Sequence, residues 1–309
     1  MNAKQDPVIV HEVGLRAGIQ ELATILPTED KKRWIDSAYA AGIRHMELAS
    51  FGLPGFHPQL SDGPQVVEYA RGHSGLTITG LVSSVAGAYE AFSTGVKRIV
   101  VPLPISTLHS LSTLRKTPRD MAGILRTICD LRDRASFPSG IEVVATLATA
   151  FGCNYQGRVK HVDVCDMALH AVDAGCDTLA LADTTGHATP SMVGDLIEDL
   201  LPFSAGRLSL AHFNNSCGLA LANIVMALRY GIREFDSALA GLSGNHTATG
   251  SASHVVTEDL VFMLEGMGFQ THIEMRKLLA CREILDRTFG TESLEGFVAR
   301  RALTHGWRH

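Results

Sequence analysis

The chain has 309 residues, 46% of them hydrophobic, enough for one large domain or two ordinary ones. Its 27 basic and 32 acidic residues leave a net charge of −5 with no basic block, which argues against a nucleic-acid partner. Apolar runs are short and broken by charge or Gly, so no membrane span is expected, and the polar start Met1–Asp6 lacks the apolar stretch of a secretory signal. Six cysteines form no C-x-x-C pair and read as small buried hydrophobes in a reduced, cytoplasmic protein.

The elements form a regular series. Val8–Val13 reads as a first strand. Thr28 can cap the helix after it, with Glu29 and Asp30 in the first turn and Gly42 beyond the end. Ile43–Leu48, Leu76–Val82 and Arg98–Leu103 are the next strands, with a short helix over Ser84–Ser93 stopped near Gly95. Pro118 opens a helix that runs to Arg134, and Ile141–Thr146 is the fifth strand. The helix His161–Ala174 ends at Gly175, before a sixth strand at Thr178–Ala182. Thr189 caps Pro190–Leu200, before a seventh strand at Leu208–Phe213. The helix Leu219–Tyr230 ends at Gly231, and Glu234–Leu239 is the eighth strand. Thr257–Glu265, Glu274–Thr288 and Glu292–His305 read as further helices.

Continuous apolar strands suit a sheet covered on both faces. Eight strand–helix units in under 250 residues point to an α/β fold, a (β/α)8 TIM barrel with additional C-terminal helices. A doubly wound sheet is the runner-up, but no Gly-x-Gly-x-x-Gly follows an early strand. The expected division is a barrel over residues 1–256 and a helical extension packed on it over 257–309.

In such barrels the active site lies at the C-terminal ends of the strands. The residues falling there are Glu12 and Arg16, Glu47, Thr146 and Thr149, Asp183-Thr184-Thr185, and His212 with Asn214. A Gly- and Ser-rich loop, Gly241–His254, adds Asn245, His246 and His254. His212 and Asn214 point the same way, because strand side chains alternate with period two. Each candidate has a plainer reading. Glu47 can be a buried partner of Arg16, Asp183 a turn cap, and His254 the neighbour of a helix start.

Several stretches carry a resemblance. They are Glu12-Val-Gly-Leu-Arg-Ala-Gly-Ile-Gln20, Glu47-Leu-Ala-Ser-Phe51, Ala182-Asp-Thr-Thr-Gly186 and Gly218-Leu-Ala-Leu-Ala-Asn223. Downstream are Asp236-Ser-Ala-Leu-Ala-Gly-Leu-Ser-Gly244 and Thr257-Glu-Asp-Leu-Val-Phe-Met-Leu264. In these the chain resembles the 3-hydroxy-3-methylglutaryl-CoA lyases, TIM-barrel metallolyases, from roughly Val8 to Arg287. The resemblance implies carbon–carbon cleavage of a 3-hydroxyacyl-CoA, or of a related 3-hydroxy acid, in a homo-oligomer. It implies catalytic roles for Arg16, Glu47, Asp183 and His212, with Asn245 where the family has a loop cysteine. It implies substrate contacts at Gln20, Thr146, Thr184 and Glu258.

The resemblance also implies a divalent cation, held in the family by an Asp after the Arg, a His-x-His and an Asn. Here those positions are Ala17, His212, Asn214 and His254. A cation would then rest on His212, Asn214 and His254, and this neutral set suits a transition metal better than Mg²⁺. Two other readings stay open: a metal-independent enzyme that stabilises an enolate (a hydrolase, isomerase or decarboxylase), and a non-catalytic acyl-CoA-binding homologue.

Overall fold

Eight parallel strands close into a barrel in sequence order. The computed structural model describes residues 6–53, 57–134, 137, 140–243, 253–290 and 294–301. The strands are β1 (Ile9–Glu12), β2 (His45–Phe51), β3 (Thr77–Val82), β4 (Arg98–Pro104), β5 (Glu142–Ala148), β6 (Thr178–Asp183), β7 (Leu208–Phe213) and β8 (Glu234–Ser237). Pairing of Ile9–Glu12 with Glu234–Ser237 closes the ring.

Helices cover the outside: α1 (Thr28–Ala41), α2 (Gly63–Ala70), α3 (Val85–Thr94), α4 (Thr107–Leu114), α5 (Pro118–Arg132), α6 (His161–Ala174), α7 (Pro190–Leu200) and α8 (Ala220–Arg229). After β8 come α9 (Thr257–Gly266), α10 (Met275–Phe289) and α11 (Phe297–Arg301). The (β/α)8 expectation therefore holds, with every strand where the apolar runs placed it.

The differences are local. Thr28 is the first helical residue and Pro27 takes the cap position; the Thr28 hydroxyl instead donates to Asp62 Oδ2 at 2.7 Å. Gly42 ends α1 as expected, at φ 110°, and a Cβ there would lie 2.2 Å from the His272 carbonyl oxygen. Helices α2 and α4 were not foreseen. The Gly63-Pro64 start of α2 reads as a turn, and the Ser and Thr residues of α4 weaken its helical signal. Ser106 nevertheless caps α4, its hydroxyl accepting from the His109 N–H at 3.2 Å. Of the expected helix Glu292–His305, only Phe297–Arg301 is seen as helix, and residues 291–293 and 302–309 lie outside the described residues.

Outward strand residues such as Ile99, Val101, Val143, Leu179, Phe213 and Phe235 are buried against the helices. Inside, Val144, Ala180 and Leu210 form a small apolar cluster with Val100 against it. At the strands' N-terminal ends a charged cluster fills the barrel. Arg98 bridges Glu234 at 2.8 Å and Glu142 at 2.9 Å, and His11 meets Glu234 at 2.9 Å. Toward the other end the inward residues shrink to Thr146, Ala148 and Ala182, and a cavity of about 600 Å³ opens.

The helices after β8 are tied to the barrel through buried polar bonds. The Thr257 hydroxyl donates to Glu12 Oε2 at 2.8 Å. Arg282 donates to Glu258 Oε1 at 3.0 Å, and the Asp259 carboxylate receives the Phe297 and Val298 N–H groups at 2.9 and 2.8 Å.

Candidate active site

The cavity is lined from both directions along the barrel. Arg16, Ala17 and Gln20 come from the segment after β1, Glu47 from β2, and Thr146 and Thr184 from β5 and the end of β6. His212 and Asn214 come from β7, Asp236 from β8, and His254 from the segment before α9.

Arg16 sits in a π-helical turn, Gly14–Gly18. Gly14 makes that turn possible. Its N–H donates to Glu12 Oε1 at 2.9 Å, and a Cβ there would fall 2.5 Å from that oxygen. The turn directs Arg16 Nη2 to Glu47 Oε2 at 2.7 Å. A register shift in β2 between Glu47 and Ala49 marks a bulge beside this carboxylate. Burial pushes the Glu47 carboxyl above its usual range, while the Arg16 guanidinium pulls it back. Glu47 Oε1 and Arg16 Nε are buried without partners.

His212 lines the same cavity. Its Nδ1 meets Asp236 Oδ2 at 3.0 Å. With Asp236 ionised, that partner assigns the proton to Nδ1 and leaves Nε2 as a lone-pair acceptor. Burial is the largest single influence and opposes the ionisation of Asp236, but the His212 hydrogen bond and the His212, His11 and Arg98 charges together outweigh it. The carboxyl is held below its ordinary range. The charged cluster under the cavity thus supports the pair above it.

His254 is fixed by backbone pairing. Asn214 and His254 form an antiparallel bridge, and the Asn215 N–H donates to the Ser253 carbonyl at 2.6 Å. The His254 ring stands 5.3 Å from the His212 ring, centre to centre, at 83°. Its Nδ1 is buried and unpartnered. Burial, then the neighbouring His212 and Arg16 charges, lowers its pKa to about 3, so the ring is neutral at physiological pH.

Two candidates take structural positions instead. Both Asp183 oxygens are committed to the turn after β6, receiving the His187 N–H at 2.9 Å and the Ala188 N–H at 3.1 Å. Asp183 does not line the cavity, and the turn-cap reading describes it. Glu258, expected at the substrate, is also away from the lining. Its oxygens receive the Ala240 N–H at 2.9 Å and the Arg282 guanidinium at 3.0 Å, anchoring the segment after β8. Glu12 serves similarly, bonded to Gly14, Leu239 and Thr257. Asn245 and His246 lie outside the described residues.

Among the cavity residues that the sequence did not single out, Asp236 and His109 carry chemistry. Asp236 was visible only as part of a motif, although the period-two alternation from Glu234 places both carboxylates on the inward face of β8. His109 of α4 lines the opposite wall with its Nδ1 buried and unpartnered, and no sequence signal separated it from an ordinary helix histidine.

The family model described as HMGL-like matches residues 7–285. Hydroxymethylglutaryl-CoA lyase YngG of Bacillus subtilis is 33% identical over 284 residues, covering 92% of this chain and 93% of that protein. The chain belongs to the HMGL-like family. The mitochondrial hydroxymethylglutaryl-CoA lyase of Mus musculus is 30% identical, over 90% of this chain and 84% of that protein. Among solved structures, the hydroxymethylglutaryl-CoA lyase of Pseudomonas aeruginosa superposes with a TM-score of 0.88 at 28% identity, covering 97% and 98% of the two chains. The lyase of A. baumannii in complex with coenzyme A and 3-methylmalate gives 0.89 at 29% identity, covering 100% and 99%.

Membership in the HMGL-like family raises the question of a cation, and the donors answer it. Ala17 offers no side-chain donor. Asn214 Oδ1 accepts from the Ser216 N–H at 2.8 Å and also from the Ser216 hydroxyl. Among the described residues no group of three or more His, Cys, Asp or Glu is placed to hold a metal ion. The two remaining imidazoles, His212 and His254, are neutral donors, whereas hard divalent cations take oxygen ligands, preferably anionic. The residues present do not fit the magnesium-type site that the resemblance implies: of His212, Asn214 and His254 the one oxygen donor is already engaged by Ser216, and the other two are neutral imidazoles.

Proposed function

We propose that the protein is a carbon–carbon lyase of the retro-aldol or retro-Claisen type. Its substrate is a 3-hydroxyacyl-CoA, such as 3-hydroxy-3-methylglutaryl-CoA, or a related 3-hydroxy acid. The observation that carries this reading is the pairing, in one cavity, of a cation and a base. Arg16 is held by Glu47 at 2.7 Å, and His212 by Asp236 at 3.0 Å. Names of relatives support the same chemistry, and the coenzyme A complex of the A. baumannii lyase supports a thioester substrate.

The reaction needs two things of these residues. His212 Nε2 takes the proton of the 3-hydroxyl group as the C3–O bond becomes a carbonyl. The electron pair of the C2–C3 bond moves into the thioester, whose oxygen gains negative charge in an enolate. Arg16, fixed in place by Glu47, is the positive group that meets this charge. The proton held on His212 then returns to C2 of the enolate. The products are a shorter acyl thioester and the aldehyde or ketone formed at C3, a 3-oxo acid when the substrate is 3-hydroxy-3-methylglutaryl-CoA, and no proton is gained or lost overall.

Thr146 and Thr184 line the wall between the two halves, where their hydroxyls can orient the acyl group. Gln20 Oε1 lies 3.5 Å from Arg16 Nη1 and is placed to steady the guanidinium at the cavity mouth. We further propose a cytoplasmic homo-oligomer as the working form. Among the described residues, no helix is long and apolar enough to cross a membrane.

The test is turnover of a panel of 3-hydroxyacyl-CoAs and free 3-hydroxy acids, followed by the appearance of the aldehyde or ketone product. Cleavage by the wild type that is lost in Arg16→Met supports the reading. Absence of cleavage across the panel, with the protein folded, refutes it.

A further inference from the structure

We infer that this site works without a resident divalent cation, and that the His254 imidazole fills the space beside Ala17 and His212 where a cation would otherwise be held. The inference rests on the proposed lyase reading for its substrate but not for its central claim.

Three observations carry it. First, the space next to Arg16 is occupied by protein. Ala17 ends at Cβ and lines the cavity together with His254, whose ring stands 5.3 Å from that of His212. A longer acidic side chain at residue 17 would compete for the volume that the ring now fills. Second, the ring is built in rather than placed loosely. Pairing of Asn214 with His254, and of Asn215 with Ser253, fixes its backbone, and His254 is buried. Third, oxygen donors are engaged elsewhere: Ser216 holds Asn214 Oδ1 and Arg16 holds Glu47 Oε2, which leaves the two neutral imidazoles of His212 and His254.

The arrangement gives His254 a task that differs from a metal's. The His254 Nδ1 is buried without a partner. A buried ring nitrogen left unpaired is costly, and a substrate hydroxyl satisfies it. The site therefore selects a substrate that arrives as a neutral alcohol. With its proton on Nδ1, His254 donates to the hydroxyl oxygen, and the hydroxyl's own hydrogen points to His212 Nε2, which removes it, so alcohol recognition and deprotonation rest on two imidazoles.

Metal binding is measured without substrate, so its outcome is separate from the fate of the lyase reading. Protein purified and dialysed against a chelator is titrated calorimetrically with Mg²⁺, Mn²⁺, Co²⁺ and Zn²⁺, and freshly purified protein is analysed for metals. The expected result is no saturable binding of any of the four and far less than one ion per chain. A triple variant, Ala17→Asp with Asn214→His and His254→Asn, supplies an acidic oxygen, a second imidazole on β7 and a carbonyl oxygen. It is expected to gain saturable Mg²⁺ or Mn²⁺ binding while keeping the wild-type circular dichroism spectrum.

One stoichiometric ion on the wild type overturns the inference. So does a folded triple variant that binds none, because the three exchanges would not then be what removed the site. Turnover by the wild type in excess chelator is expected as well, and its loss on chelation also overturns the inference. A wild type that binds no ion and cleaves nothing on the panel refutes the lyase reading alone.

Discussion

The substitution Asp236→Asn tests the base in the proposed reaction. Asp236 Oδ2 lies 3.0 Å from His212 Nδ1, and the carboxyl is held below its ordinary range, so the partner is an anion at neutral pH. An asparagine keeps the size and one acceptor oxygen but removes the charge. A hydrogen bond to a charged group contributes about 1.5–3 kcal/mol, against roughly 1 kcal/mol for a neutral one. The imidazolium that forms when His212 takes the substrate proton is the species that loses most. Exchanging the charge-assisted bond for a neutral one in the transition state alone costs the difference, about 0.5–2 kcal/mol, and lowers kcat by roughly twofold to 30-fold, since about 1.4 kcal/mol is a factor of ten. KM should change little, because the pair meets the substrate's proton and not its bulk. Steady-state kinetics on whichever substrate the panel identifies, measured from pH 5.5 to 9, provides the check. A kcat within twofold of wild type across that range would show that His212 does not act through Asp236, and the base would have to be sought elsewhere in the cavity.

Other outcomes follow from the same geometry. Arg16→Lys keeps a positive charge but loses the planar fork that Glu47 holds, and kcat should fall about 100-fold or more with KM changed far less. Arg98→Leu leaves Glu234 buried without its guanidinium and should cost about 3–5 kcal/mol in urea denaturation. A cost below roughly 1 kcal/mol would mean that the cluster is not structural. The Glu12 carboxyl is raised to about 7 by burial, so its contribution is full below the unfolded value near 4.5 and is lost as pH rises through 7. The stability advantage of the wild type over Glu12→Gln should therefore shrink between pH 4.5 and 7, by on the order of 3 kcal/mol. An advantage that grows with pH over that window would contradict the burial argument.

The barrel was legible because its strands are buried on both faces and so read as unbroken apolar runs, such as Thr178–Asp183. Gly42 and Gly175 closed their helices as expected, since each adopts a left-handed φ. What could not be read was the direction of buried carboxylates. Glu47, Asp183 and Glu258 are alike in sequence as acids near strand ends or helix starts. Only folding shows that Glu47 Oε2 faces Arg16 while the Asp183 oxygens turn to backbone N–H groups and Glu258 turns to Arg282. Asp236 was obscure for a related reason. Its partner His212 is 24 residues away in the chain, and nothing local announces a contact made across neighbouring barrel strands. His109 was hidden because α4 itself gave too weak a helical signal to be placed at the mouth.

The exchange at residues 214 and 254 has a structural logic. The two residues face each other across an antiparallel bridge, where opposed side chains share one small volume. An imidazole on one side and an amide on the other fill that volume in either order, so the swap relative to the family pattern costs the fold little. Its chemistry is not symmetric. With the amide on the β7 side, Asn214 reaches the Ser216 N–H two residues on and closes a local turn. With the imidazole on the α9 side, His254 lines the cavity together with Ala17, whose side chain ends at Cβ. Positions 17, 214 and 254 are therefore coupled, and single replacements at any one should be worse tolerated than the three made together. The scaffold that presents Arg16 and His212 does not depend on them. Arg16 is held through Gly14 and Glu47, and His212 through Asp236, so the groups proposed for bond cleavage can stay in place while the cation position changes its occupant.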